Sequence, residues 1–161
     1  MRRRALLIVA SSSAASGCGF ALRQAPVLPF RRIQLVGFGP QSPLAEALSR
    51  ELARSAQVVL ANDRPEVLLL ASKELRDKGV VAATTAGQLR EVKLRIQFEY
   101  RLTNAAGREL IPTTAIVLAR DMSYNESFAL AKEQEEVQLY AAMQAEIVMQ
   151  VLRRLASAAK L

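Results

Sequence analysis

Glu91-Val92-Lys93-Leu94-Arg95-Ile96-Gln97-Phe98-Glu99-Tyr100-Arg101-Leu102 alternates polar and apolar residues without a break. Successive side chains of an extended strand point to opposite faces, so period-two alternation of this length predicts one long strand. Val92, Leu94, Ile96, Phe98, Tyr100 and Leu102 form its buried face. Glu91, Lys93, Arg95, Gln97, Glu99 and Arg101 form a polar one. A strand apolar on one side needs a covering layer there and leaves its other side wet. The rest of the chain has to supply that layer.

Downstream, Asn104-Ala105-Ala106-Gly107 reads as a hairpin connection, and Arg108 to Met122 as the returning strand with Ile116 and Leu118 in its apolar middle. Pro112 cannot donate to a ladder, so that stretch is expected at a sheet edge or a bulge. Tyr124-Asn125-Glu126 closes the sheet region, and a long helix is expected from Ser127 to Ala158. Its predicted inner face is Val137, Tyr140, Ala141, Ile147, Val148, Val151, Leu152 and Leu155, interrupted by Gln144. Glu133, Glu135 and Glu136 near its start and Arg153, Arg154 and Lys160 near its end complement the helix dipole.

Upstream, Arg31 to Phe38 gives a first strand through Ile33 and Leu35, stopped by Gly37, Gly39 and Pro40. Ser42-Pro43 then opens a helix. Serine caps free N–H groups, and proline lacks a donor that would go unpaired at the first position. Leu44, Leu48 and Leu52 make one apolar stripe, with Glu46 and Arg50 four apart on the wet face, and the helix should end near Ser55. Gln57 to Leu60 is a short extended piece, and Asn62-Asp63-Arg64-Pro65 a turn. Glu66 to Leu75 is expected as a strand whose Val67-Leu68-Leu69-Leu70 run is covered on both faces, broken at Lys78-Gly79. Val80 to Gly87 is either a strand crossing or a mobile connection.

Two amphipathic helices and about four strands make an α+β fold. We expect a two-layer sandwich of two helices packed on one face of a four-stranded mixed or antiparallel sheet, as a single domain over residues 31–161. The opposite sheet face, bearing Lys93, Arg95 and Arg101, is either a solvated surface or a berth for a partner.

The N-terminus has a different character. Met1-Arg2-Arg3-Arg4 is cationic, Ala5 to Ala10 is a short apolar core, and small residues run from Ser11 to Gly17. This is the layout of a secretory signal peptide, since a spanning helix needs about 20 apolar residues. Ala15-Ser16-Gly17-Cys18 resembles the lipobox of bacterial lipoproteins. The resemblance implies removal of residues 1–17, an N-acyl diacylglycerol on Cys18, and a lipidated linker over residues 18–30 containing Pro26 and Pro29. Gly19 after the cysteine resembles the pattern permitting export to the outer membrane.

Cleavage would leave 144 of the 161 residues and remove Arg2, Arg3 and Arg4, reducing the net charge from +7 to +4. With so mild an excess, export and no aromatics interleaved with basic residues, a nucleic-acid partner is not expected. The chain has no histidine, no tryptophan and one cysteine. Ser-His and Cys-His nucleophilic pairs and the usual zinc sites are therefore excluded. No catalytic activity, no metal and no cofactor beyond the covalent lipid is expected. A tethered enzyme using paired carboxylates is a rival, but spacing forces no two acids into one pocket.

Three segments together resemble the LPS-assembly lipoprotein family LptE (RlpB): Gly17-Cys18-Gly19-Phe20-Ala21-Leu22-Arg23, Ser127-Phe128-Ala129-Leu130-Ala131-Lys132-Glu133, and Val151-Leu152-Arg153-Arg154-Leu155. The resemblance implies two helices on a four-stranded sheet, anchored in the outer membrane and inserted from the periplasmic side in the β-barrel of the LPS translocon (an LptD-like protein). There the family acts as plug and assembly factor and can bind lipopolysaccharide. The basic residue of the Ala-Leu-Ala-Lys stretch maps onto Lys132, whose alternative is a helix-surface pair with Glu135 or Glu136. A second basic element before a Gly-Gln pair is absent here, where Thr85-Ala86 precedes Gly87-Gln88, or is displaced to Arg90. Arg90, Lys93 and Arg95, on or beside the open sheet face, complete the candidate lipopolysaccharide-binding set, because Lys and Arg pair with phosphates. The rival partner is another outer-membrane complex, served by a lipoprotein chaperone or pilot.

Overall fold

A computed structural model describes residues 27–60, 63–85 and 87–158. The signal segment 1–17, Cys18, the linker to residue 26 and Asn62 of the expected turn lie outside the described residues. In chain order the elements are β1 (Arg32–Val36), α1 (Pro43–Leu52), β2 (Gln57–Val58), β3 (Val67–Ala83), β4 (Leu89–Asn104), β5 (Glu109–Ser123), a 3-10 turn (Glu126–Phe128) and α2 (Ala129–Ser157).

The sheet has five strands in the order β2-β1-β3-β4-β5, not four. The added strand is the short piece after α1. Gln57 donates to the Arg31 carbonyl at 2.6 Å and Val59 to the Ile33 carbonyl at 2.9 Å, laying β2 parallel to β1. The sheet is mixed: β1 runs parallel to β2 and β3, while β3, β4 and β5 form an antiparallel meander.

The long alternating strand is as expected. Val92, Leu94, Ile96, Phe98, Tyr100 and Leu102 are all buried, in one core with Leu44, Leu48 and Leu52 of α1 and the inner row of α2. Ser42 caps α1 by accepting from the Ala45 N–H at 2.9 Å, and its hydroxyl donates to Glu74 Oε2 at 2.7 Å. The cap is thereby tied to β3. Gly37, at φ +83°, lies where a Cβ would run into the Ala71 carbonyl oxygen, so the turn out of β1 requires glycine.

Three expectations are corrected. β3 does not stop at Lys78-Gly79. It stays in register with β4 there (Lys78↔Leu94, Gly79↔Lys93), the ladder outweighing the poor strand preference of those residues. The connection follows at Thr84–Gln88, where Gly87 takes φ +79°. The Val67–Leu70 run is not covered on both faces: Val67 and Leu69 are buried, whereas Leu68 and Leu70 are only half-buried. Finally, Val137 and Ala141 do not face the core, and Val137 is 63 % exposed. The row of α2 facing the sheet continues towards its start as Tyr140, Glu136 and Lys132, a turn of about 3.6 residues at a time. Val137 is one residue round from that row and points to solvent. The buried set is Tyr140, Met143, Ile147, Val148, Val151, Leu152 and Leu155.

The cause of that polar start lies in β3. A register shift between Ala71 and Lys73 leaves Ser72 as an extra residue, its hydroxyl donating to the Glu99 carbonyl at 3.3 Å. Before the bulge, odd-numbered residues pair with the core face of β4 (Val67↔Asn104, Leu69↔Leu102, Ala71↔Tyr100). After it, even-numbered ones do (Glu74↔Phe98, Arg76↔Ile96, Lys78↔Leu94). The helix-side face of β3 therefore changes from aliphatic to charged halfway along.

Candidate functional site

Both β3 and α2 present charge where they meet. Lys78 Nζ lies 2.6 Å from Glu136 Oε2 and 5.9 Å from the centre of the Tyr124 ring. The Arg76 guanidinium stacks 3.6 Å over the Tyr140 ring, whose hydroxyl donates to the Asp77 carbonyl at 2.6 Å. Burial pushes the Tyr140 hydroxyl pKa up, and Arg76 opposes it. These contacts were not foreseen from the sequence, because β3 was expected to end where they begin and a bulge at Ser72 has no sequence signature.

Lys132 sits in the first turn of α2, at the far end of this row. Its side chain is 18 % exposed, with Nζ 2.7 Å from Glu135 Oε2 and 3.2 Å from Ser123 Oγ. The helix-surface pair weighed in the sequence is thus formed, but with the ammonium tucked against the end of β5. Phe128 offers α2 no side-chain hydrogen bond, but the 3-10 turn before it runs into the helix. Asn125 Oδ1 accepts from the Ser127 N–H at 2.9 Å and the Ala129 N–H donates to the Glu126 carbonyl, so what remains at this end is the positive pole of the helix dipole.

Arg90 belongs to the same end of the molecule. It stands at an irregular step between β3 and β4, between the pairs Ala82↔Glu91 and Ala83↔Leu89, and its carbonyl accepts from the Tyr124 N–H at 2.8 Å. It borders a shallow recess with Gln88, Asn125, Glu126 and Ser127. The segment from Ser123 to Ser127 therefore brings Arg90 and Lys132 to one end, beside the Thr84–Gln88 connection where the resemblance places its second basic element.

Lys93 and Arg95 do not join them. Both are on the sheet face away from the helices, and both are engaged there. Lys93 Nζ is 3.5 Å from Asp121 Oδ1. Arg95 holds Asp77 with Nε at 3.1 Å from Oδ1 and Nη2 at 2.6 Å from Oδ2. That fork lowers the Asp77 pKa, and Asp77 in turn raises that of Arg95. With Lys73 opposite Glu99, this face carries a ladder of opposite charges across β3, β4 and β5, divided by a row of Leu75, Gln97 and Val117. Among the described residues, no group of His, Cys, Asp or Glu is placed to hold a metal ion, and no helix is long and apolar enough to cross a membrane.

The model of the family described as "LptE: Lipopolysaccharide-assembly" matches residues 30–155. No curated protein matches the chain. Among solved structures, lipoprotein B from Nitrosomonas europaea, determined in solution, is 29 % identical with a TM-score of 0.74, covering 88 % of this chain and 93 % of that one. Rare lipoprotein B from Shewanella oneidensis is 18 % identical with a TM-score of 0.65, covering 79 % and 95 %. A minor lipoprotein from Acinetobacter baumannii is 17 % identical, also at 0.65, covering 81 % and 93 %. The last two share the fold.

Proposed function

Because the chain belongs to the LptE lipopolysaccharide-assembly family, we propose that it is an outer-membrane lipoprotein, tethered through Cys18, that seats as a plug inside the β-barrel of the LPS translocon and assists its assembly. The observation that carries this reading is the face of the sheet opposite the helices. Two of its cations are paired within the protein, Lys93 with Asp121 and Arg95 with Asp77. A barrel lumen is polar, and a polar face with charges paired across its strands suits such a wall.

Lipopolysaccharide phosphates are assigned to the other end, at Arg90 and Lys132. The positive end of the α2 dipole favours an anion there, and the two cations add to the same field. The plug is held by a wide surface and the lipid by few charges. Wild-type lipopolysaccharide binding should therefore weaken with added salt, and Lys132→Glu should weaken it further while the barrel protein still copurifies. Both are measured on one mutant. Loss of the barrel with lipid binding unchanged would make Lys132 an interface residue. Recovery of a different outer-membrane complex with the wild-type chain would point to the pilot role instead.

A further inference from the structure

The chain enters the domain at the end of the sheet opposite Arg90 and Lys132, and unpaired arginines crowd that end. Leu28 and Phe30 are buried on the way in, and β1 starts at Arg32. The turn before β3 and the connection from β4 to β5 lie at the same end, since Val67 pairs with both Ile33 and Asn104. α1 returns to it, the residues after the helix sharing a recess with Arg31. α2 returns as well. It starts beside Ser123, and its last turn brings the Arg154 guanidinium near Tyr100, towards the end of β4. These segments carry Arg31, Arg64, Arg108, Arg153 and Arg154, all exposed and none in an ion pair among the described residues. Arg32 and Arg54 beside them are paired, with Glu66 and Glu51. In the other half of the sheet, by contrast, Lys78, Lys93, Arg95 and Lys132 each lie within 3.5 Å of a carboxylate oxygen.

We propose that the arginine-rich end is a membrane-contact face, resting against a bilayer that bears anionic headgroups while the protein is tethered. The inference rests on the tether at Cys18 proposed above. Val27 is the first described residue and stands nine positions beyond Cys18. Fully extended, that linker reaches about 30 Å, and a flexible one spans about 15–18 Å on average. The opposite end is held well clear of the same surface. β4 alone has 16 residues, and at about 3.3 Å each they extend about 50 Å. A basic surface adds a second attachment to a lipid anchor, each cation near an anionic leaflet contributing about fivefold in affinity. Arginines spread over four segments make a broad field, suited to many headgroups rather than to one enclosed phosphate. With this face on the bilayer, Arg90 and Lys132 point away from the leaflet that holds the tether.

The test uses residues 18–161 with Cys18→Ser, which keep every described residue and carry no lipid. Its failure is therefore distinct from a failure of the tether, which is read on Cys18 itself. Vesicles of phosphatidylglycerol mixed with phosphatidylcholine should sediment this chain, vesicles of phosphatidylcholine alone should not, and the binding should fall with salt. Arg64→Gln, Arg108→Gln and Arg153→Gln together should weaken it about 100-fold. The same three positions changed to Lys should keep it, as should Arg90→Gln with Lys132→Gln at the far end. All these side chains but Lys132 are exposed or at an irregular strand step, and an unchanged denaturant midpoint shows each variant folded. Equal weakening by the near and far sets would overturn the assignment. So would equal binding to neutral and anionic vesicles, or no binding to either by a chain that unfolds cooperatively. Release by inorganic phosphate, beyond that by chloride at equal ionic strength, would make the end a site for single phosphate groups and overturn the surface reading too.

Discussion

Phe98→Ala tests the assignment of the two sheet faces most directly. The ring is fully buried on the central part of β4. It stacks on Phe38 at 5.8 Å and on Tyr100 at 5.3 Å between ring centres, and its backbone lies between Glu74 of β3 and Ile116 of β5. Truncating a buried Phe costs about 3–5 kcal/mol, the cavity term included, and the two aromatic contacts place this site towards the upper end. Total stabilities are about 5–15 kcal/mol, so the loss is a large fraction of the whole. With a urea slope of about 2 kcal/mol per molar, the midpoint should fall by about 2 M. The comparison is Lys93→Ala, five residues away on the opposite face. Its ion pair with Asp121 spans 3.5 Å between half-exposed side chains, and such pairs contribute about 0–1 kcal/mol. Its midpoint should barely move. Equal shifts for the two variants, or a larger one for Lys93→Ala, would show that the faces are assigned wrongly.

Cys18→Ala should leave the domain folded but abolish lipidation, with precursor accumulating at its uncut mass; an unmodified Cys18 in the wild-type membrane fraction, by mass spectrometry, would refute the tether. The Tyr100 hydroxyl is buried with no well-formed hydrogen bond among the described residues, and burial pushes its pKa up, opposed by the nearby Arg154 guanidinium. Tyr100→Phe removes that unmet polar group and should stabilise by up to about 1–3 kcal/mol in denaturant titration, whereas a clear loss would mean that the hydroxyl is satisfied in solution. Asp77 has a folded pKa lowered from 3.8 by Arg95, so its contribution is present above that value and fades as pH falls through the lower one. Acid unfolding of Asp77→Asn should be correspondingly less steep below about pH 4, and identical acid limbs for mutant and wild type would show the fork to be broken in solution.

What the sequence made legible followed from periodicity. β4 could be assigned face by face because every second residue from Val92 to Leu102 is apolar, and α1 because Leu44, Leu48 and Leu52 follow a proline with a serine cap. Pro112 marks an edge or a bulge, and the structure has both. The failures share one cause, which is that pairing partners are not written in a strand's own residues. Lys78-Gly79 reads as a break in isolation but is held in place by Leu94 and Lys93. Gln57–Val58 becomes a strand only because Arg31 and Ile33 offer it carbonyls. The bulge at Ser72 inverts the facing of all that follows, so a correct reading of Val67–Leu70 could not be extended to Arg76 and Lys78. Hydrophobicity alone puts Val137 on the inner row of α2, where the structure leaves it exposed. That row is set instead by what lies beneath it, and beneath it the charged half of β3 pairs with Glu136 through Lys78, while Lys132 reaches Ser123 at the end of β5.

The same inversion bears on which cations are free to take an anion. Four basic residues were candidates by type and neighbourhood, and type does not distinguish them. Arg95 is held in a two-pronged grip by Asp77, and a phosphate would have to displace a carboxylate already in good geometry. Lys93 is more loosely engaged, but its partner Asp121 would repel the incoming charge. Lys132 also has a carboxylate, Glu135, at 2.7 Å. It differs in standing in the first turn of α2, so the anion it attracts meets the positive end of the helix dipole and not one carboxylate alone. Arg90 has no ion pair among the described residues and keeps its fork available. A ligand bearing phosphate should therefore lean on Arg90 first, be steered by the start of α2 and by Lys132, and leave the ladder of charges on the opposite face intact. The two sides of one sheet can in this way serve two purposes. One carries charges paired across its strands at Lys93 and Arg95 and is fit to lie against a wall, and the other ends in cations not fully spent.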